Sequence, residues 1–193
     1  MTAQLIAPKM HIPTYAFSRY SILPNRTNTL WQINKGVVQT LTILDSGDFI
    51  TLGLWGPGDI VGLSLSNTYP YQMKCLTSVE VVPVMFEHWE NLAPQLLTIV
   101  QSFEELTIIR SYKLVEESLA RLLVWLSKKF GYAVDQGHLL NLQLTHQDLA
   151  DILGTSRVTV TRLLKQFEEQ GWLQRLRKKQ MIISEEECWY YQI

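Results

Sequence analysis

Residues 144–184 read LTHQDLADILGTSRVTVTRLLKQFEEQGWLQRLRKKQMIIS, and the spacing within this stretch decides the fold. Thr145 followed by Asp148 has the form of a capping box, with aspartate in the place usual for glutamate. Leu149, Ile152 and Leu153 give the helix that follows an apolar face, and Ala150 is small where a second helix must come close. Gly154 ends this helix, and Thr155 or Ser156 caps the next one. Two short helices joined by a tight turn containing glycine form a helix-turn-helix.

The second helix is tested by its period. At about 100° per residue, Val160, Leu163, Leu164 and Phe167 fall on one arc, the side that must be buried. Val158, Thr161, Arg162 and Lys165 fall on the opposite arc, with Arg157 at its edge. Arginine can bond guanine O6 and N7 in a fork, and the methyl groups of valine and threonine suit the thymine methyl. Arg157, Val158, Thr161 and Arg162 are therefore the candidates for reading bases. The hydroxyls of Thr145, Thr155, Ser156 and Thr159, near helix starts, and the Lys165 ammonium are candidates for holding the DNA backbone. Beyond Gly171, the runs Trp172–Leu176 and Met181–Ile183 read as a hairpin with Arg177, Lys178 and Lys179 at its tip. Such a basic wing presses on phosphates. A merely solvated basic face explains the arc, but not the turn, the small Ala150 and the wing together.

The whole chain carries a net charge of −1, which by itself argues against a nucleic-acid partner. The average hides an asymmetry. Between Thr155 and Gln180 the bases are Arg157, Arg162, Lys165, Arg175, Arg177, Lys178 and Lys179, against only Glu168 and Glu169. Phosphate neutralisation depends on charge at the contact face, so double-stranded DNA remains the expected partner.

With 193 residues, 47% of them hydrophobic and 18% charged, the chain has material for a packed core. No apolar run is long enough to span a bilayer, and the N-terminus lacks the basic start and apolar stretch of a secretory signal. A cytoplasmic, non-membrane protein is expected. Cys75 and Cys188 are too few for a structural zinc or iron–sulfur site, and His11, His88, His138 and His146 show no metal-ligand spacing. No metal and no cofactor is expected.

Upstream, residues 14 to about 90 read as strands and turns: Leu30–Ile33, Val37–Leu44, Phe49–Leu54 and Val79–Val84, punctuated by glycines. Asp45-Ser46-Gly47-Asp48 and Trp55-Gly56-Pro57-Gly58-Asp59 read as tight connections. Many short strands of this kind suggest an antiparallel sandwich or barrel. From Pro94 the character changes, and Leu96, Val100, Phe103 and Leu106 follow at helical spacing, continuing to Leu114. That seam must be buried, either on the barrel or against a second copy in a homodimer. A hinge is expected near Leu114–Glu117, followed by a second amphipathic helix over Leu119–Phe130 with Gly131 as its C-cap. Trp31, Trp55, Trp89 and Trp125 read as core and packing residues, not as a ligand cage. The tail Glu185–Tyr191 reads as a short helix packed on the unit before it.

The block from Thr145 to Leu164, with the layout upstream, resembles the Crp/Fnr family of bacterial transcription regulators, over nearly the whole chain. Leu30-Trp31-Gln32-Ile33-Asn34-Lys35-Gly36 looks like the family's strand leading to a glycine turn. Gly58-Asp59-Ile60-Val61-Gly62 looks like its glycine–aspartate–hydrophobic–hydrophobic–glycine element. Ser156-Arg157-Val158-Thr159-Val160-Thr161-Arg162 is similar to the cyanobacterial global nitrogen regulators. The resemblance implies an α+β fold in three parts: an N-terminal antiparallel β jelly-roll of the effector type (1–93), a long dimerisation helix and hinge (94–116), and a C-terminal winged helix-turn-helix (117–193). It implies RNA polymerase as a further partner. Arg157 and Arg162 match the family's base-contacting arginines, and Val158 stands where many members have glutamate. The implied half-site is of the nitrogen regulators' GTA type, not the TGTGA of catabolite activators.

The departures bear on sensing. Members that bind cyclic nucleotides carry glutamate directly after the glycine matching Gly62 and an Arg-Ser pair shortly downstream. Leu63 stands at the glutamate position here, and no arginine occurs between Arg26 and Arg110. A buried phosphodiester needs a fixed cationic partner, so cyclic-nucleotide binding is not expected, and the same lack counts against 2-oxoglutarate. The effector small molecule is left unassigned. Two other classes compete with this reading. A cupin-like enzyme needs clustered histidines on its strands, and residues 30–84 contain none. A winged-helix protein-interaction module would leave Arg157 and Arg162 without a role on DNA.

Overall fold

The computed structural model describes residues 13–85, 91–176, 180–184, 186 and 191. The first part is two antiparallel sheets. One has the order β1 (Tyr15–Phe17), β7 (Val79–Met85), β2 (Thr29–Lys35), β5 (Ile60–Val61). The other is β4 (Phe49–Trp55), β3 (Val38–Ile43), β6 (Gln72–Cys75). The strand assignments made from the sequence hold to within a few residues. In the connection after Ile43, the Leu44 N–H donates to Asp48 O at 2.9 Å and Gly47 takes φ +86, as a glycine turn requires. In the Trp55–Asp59 connection, the Gly56 N–H donates to the Asp59 carboxylate at 2.8 Å. Gly36 (φ +88) is the position where side-chain-free backbone matters most, because a Cβ there would lie 2.2 Å from Ser78 O.

The two sheets close on a core that includes Leu30, Trp31, Ile33, Val38, Ile60, Met73 and Val81, and Ile99 of the long helix covers it. Trp31 is fully buried, with Tyr15 and Phe17 edge-on to its ring, and Trp55 and Trp125 are also buried. Trp89 lies outside the described residues.

Helix α1 (Ala93–Ser111) starts with Pro94 in its first turn, where a missing N–H costs nothing. It breaks earlier than the sequence pattern suggests. Tyr112 and Leu114 both take extended backbone (ψ 131 and 121), and α2 (Val115–Phe130) begins with Glu116 and Glu117 in its first turn, where the helix dipole favours them. Gly131 does end α2, but at φ −104. Glycine is needed there for space, since a Cβ would lie 2.4 Å from Ser127 O and 2.5 Å from Leu139 O.

The expected seam of α1 needs correction. Leu106 is 2% exposed and belongs to the chain's own second core, and Leu96 is half-buried against the β-roll. The inward face is Ile99, Ser102, Leu106 and Ile109. The apolar residues left outside are Leu97, Val100 and Ile108, with Leu114 beyond the helix end, while Phe103 is partly exposed but packs on Trp55. The helix is apolar on two sides, so periodicity alone did not say which side meets the roll.

The second core runs from Leu106 and Ile109 through α2 into the C-terminal unit. That unit holds α3 (His146–Leu153), α4 (Arg157–Glu169) and a four-stranded antiparallel sheet of order β10 (Leu173–Arg175), β11 (Met181–Ile183), β9 (Gly137–Leu140), β8 (Tyr132–Val134). Three cationic side chains tie it to the β-roll. Arg19 donates to Gln143 O at 2.6 Å, Lys74 reaches Asp148 at 3.5 Å, and Arg110 donates both to Ile152 O and to Thr51 O at 2.7 Å. No helix among the described residues is long and apolar enough to cross a membrane.

Candidate nucleic-acid interface

Helix α3 begins as its sequence requires. The Asp148 N–H donates to Thr145 Oγ1 at 3.0 Å, and the Thr145 N–H donates to Asp148 Oδ2 at 2.8 Å, completing the capping box. The Thr145 hydroxyl also donates to Asp148, at 2.7 Å, so this side chain is committed to the cap. Gly154 ends the helix in the left-handed conformation (φ 68) and turns the chain toward α4. Ser156 caps α4 by accepting from the Thr159 N–H at 3.1 Å, and its hydroxyl lies 2.8 Å from that of Thr159.

Helix α4 is anchored on one side and open on the other. Val160, Leu163, Leu164 and Phe167 are all at most 1% exposed, and each such burial stabilises the fold by about 1.5–3 kcal/mol. Phe167 packs against Trp172, with ring centroids 3.8 Å apart and the rings tilted by 41°. On the opposite face Arg157, Val158, Thr161, Arg162 and Lys165 are exposed, Val158 to 78%. These five residues line one continuous open groove with Glu168, Glu169 and Arg175.

The charges on this face divide into two groups. Lys165 pairs with Glu169 at 3.4 Å one helical turn on, and Arg175 pairs with Glu168. The hydrogen bond from Arg175, and then its charge, hold the Glu168 carboxyl below its usual range, against the opposing effect of burial. Both acids of the segment are thus occupied. Neither Arg157 nor Arg162 has an ion pair among the described residues, and both line the open groove.

A small network connects α3, α4 and the wing, and no pattern in the sequence signals it. The Thr161 hydroxyl donates to Arg157 O at 2.9 Å and lies 2.8 Å from His146 Nδ1. Its single proton is given to the carbonyl, so the hydroxyl accepts from His146, and Nδ1 carries the ring proton. His146 Nε2 then faces Arg175 Nη1 at 3.5 Å. A cavity of about 600 Å³ opens between this network and the wing, bordered by His146, Arg157, Leu164, Arg175 and Met181.

The wing is a hairpin in the register Leu173↔Ile183 and Arg175↔Met181, closed by the Leu176 N–H donating to Gln180 O at 2.8 Å. Its tip residues Arg177, Lys178 and Lys179 lie outside the described residues, as do Glu185 and residues 187–190 of the tail. Tyr191 lies beside Trp172, with ring centroids 6.1 Å apart. Strands β8 and β9, which complete the wing's sheet, were missed in the sequence. Their only signals are the short triplet Tyr132-Ala133-Val134 and the turn at Gly137 (φ 134).

In the β-roll, the space between Tyr71, Trp55, Ile99 and Phe103 is a cavity of about 40 Å³. Trp55 borders it, donating to the Thr40 hydroxyl at 2.9 Å with Phe103 edge-on to its ring. Burial pushes the nearby Tyr71 hydroxyl far above its ordinary range, and pushes the Cys75 thiol up to about 11, so neither is ionised near neutral pH.

A winged helix-turn-helix carried by a long helix from an antiparallel β-roll, with free arginines on the open face of its second helix, defines a DNA-binding regulator. Comparison with known proteins agrees. Residues 117–187 match the Crp-like helix-turn-helix domain. The regulatory protein CysR of Synechococcus elongatus is 39% identical over 178 residues, covering 89% of this chain and 84% of its own. The transcriptional activator protein anr of Pseudomonas aeruginosa is 25% identical over 159 residues, covering 74% of this chain and 64% of its own. Among solved structures, FixK2 of Bradyrhizobium japonicum has the same fold, with a TM-score of 0.78 at 18% identity, over 95% of this chain and 98% of that one. A CRP-family transcriptional regulator of Thermus thermophilus superimposes with a TM-score of 0.75 at 20% identity, over 90% and 96%. The chain belongs to the Crp/Fnr family and is a DNA-binding transcription regulator.

Proposed function

We propose that the chain acts as a homodimer on a pseudo-palindromic promoter site, with Arg157, Val158, Thr161 and Arg162 reading bases in each half-site. The observation that carries this reading is the division of charge on α4. Every acid on its open face is paired, and Arg157 and Arg162, without an ion pair among the described residues, line the groove with Val158. Arginine forks favour guanine, and the valine methyls favour thymine over cytosine, which supports a half-site of the GTA type. Thr155, Ser156, Thr159, Lys165 and the wing-tip bases Arg177, Lys178 and Lys179 hold phosphates around it. Thr145 stays in the same group only through its place at the start of α3, since its N–H and its hydroxyl are both given to Asp148.

In this reading residues 1–93 are the effector-type roll, 94–116 the dimerisation helix and hinge, and 117–193 the DNA-binding unit. The protein works in the cytoplasm, with RNA polymerase as a further partner and without enzymatic activity. It acts without a cyclic nucleotide. The roll's 40 Å³ cavity compares with about 300–1,000 Å³ for ligand pockets, and no arginine lines it among the described residues.

Selection of bound duplexes from a random pool by the purified protein, with no added metabolite, tests the proposal. The expected product is an inverted repeat with half-site centres about 10 bp apart or a multiple of that. Enrichment only of an unrepeated motif, or of none, would overturn it.

A further inference from the structure

The Thr161 hydroxyl has its proton and one lone pair engaged before any DNA arrives. It gives its proton to Arg157 O at 2.9 Å and accepts from His146 Nδ1 at 2.8 Å. A helical threonine divides between two χ1 rotamers, and the bond from His146 selects the one whose hydroxyl is turned back to the preceding turn. With the oxygen turned to the helix and to His146, the γ-methyl is the part of this exposed side chain left to face the groove, one turn from Val158. We propose that His146, at the start of α3, is a positioning residue for sequence specificity: by holding the Thr161 hydroxyl it makes Thr161 a reader of the thymine C5-methyl and not a hydrogen-bonding reader. His146 is in turn placed by Arg175 of the wing, which faces its Nε2 at 3.5 Å and is itself fixed by Glu168. Wing and recognition helix thus share one hydrogen-bonded chain. The inference rests on the proposed base-reading face, and its test separates the two.

The test uses the full-length protein and a selected duplex in which each half-site thymine is replaced in turn by deoxyuridine, which removes only the C5-methyl. Wild type loses affinity at the thymine facing Thr161 by about fourfold, the value of one buried methyl group. Thr161→Val keeps that ratio, because it keeps the methyl, and Thr161→Ser brings it to about one, because it does not. His146→Ala frees the hydroxyl to turn toward the bases and lowers the ratio at that same position. His146→Asn, whose amide nitrogen replaces Nδ1 as donor, restores it. A wild-type ratio of one at every half-site thymine overturns the inference. So does a Thr161→Ser protein that keeps the wild-type ratio, or a His146→Ala protein that does. Loss of preference for the selected duplex over a scrambled one in wild type would instead remove the base-reading face itself.

Discussion

At the scale of single residues, composition was a poor guide to which charges are available. Counting bases and acids between Thr155 and Gln180 gives the correct excess but not its location. The structure assigns Glu168 to Arg175 and Glu169 to Lys165, and so singles out Arg157 and Arg162. The Glu168–Arg175 pair also has a pH signature. Arg175 lowers the Glu168 carboxyl below its ordinary value of 4.5. A carboxylate whose folded value is depressed adds stability that is fully present above the unfolded value and is lost as pH falls through the folded one. Urea unfolding of wild type and Glu168→Gln, compared across pH, should therefore show the largest difference near neutrality, shrinking as the medium is acidified below 4.5. A difference that stays constant across that range would mean the pair contributes through shape alone. The hydroxyl of Thr161 illustrates the other limit of residue-level reading. Its place on the open arc followed from helical period, but its bond to His146, fifteen positions away, required the fold.

At the scale of elements, those legible in the sequence were those with a repeating pattern or a cap. The arc of Val160, Leu163, Leu164 and Phe167, the box of Thr145 and Asp148, and the turn at Gly154 all lie where the spacing put them. Strands β8 and β9 were not legible, because three or four residues are too few to show alternation. Helix α1 was legible as a helix but not as an oriented one, since apolar residues lie on both of its sides and only the contact with the roll chooses between them. Gly131, at the junction of α2 and β8, lies between two backbone carbonyls. Gly131→Ala would force a Cβ to 2.4 Å from Ser127 O and 2.5 Å from Leu139 O. Overpacking of this kind costs about 1–3 kcal/mol, measurable as a lowered midpoint in chemical denaturation. An unchanged midpoint would show that α2 and β9 separate more readily than the geometry implies.

At the scale of the whole molecule, the two cores meet through α1, and Arg19, Lys74 and Arg110 fix the reading head to the roll. Leu97, Val100 and Ile108 leave an exposed apolar helix face without a partner among the described residues, with Phe103 at its edge packed on Trp55. If a second copy covers it, Val100→Glu, a surface change in the monomer, should shift the protein to monomer in sedimentation. Affinity for the full inverted repeat should then fall while binding to one half-site is kept. A dimer that survives both Val100→Glu and Leu97→Glu would place the two-fold contact elsewhere.

Base reading by the open face of α4 carries the proposed function. Its most direct test is the affinity of Arg157→Ala and Arg162→Ala, each against the selected duplex and a scrambled duplex at fixed salt. Each variant should lose about 1–3 kcal/mol on the selected site and far less on the scrambled one, with relaxed preference at the guanine it contacted. Unchanged affinity for the selected duplex in both variants would mean that this face does not read bases.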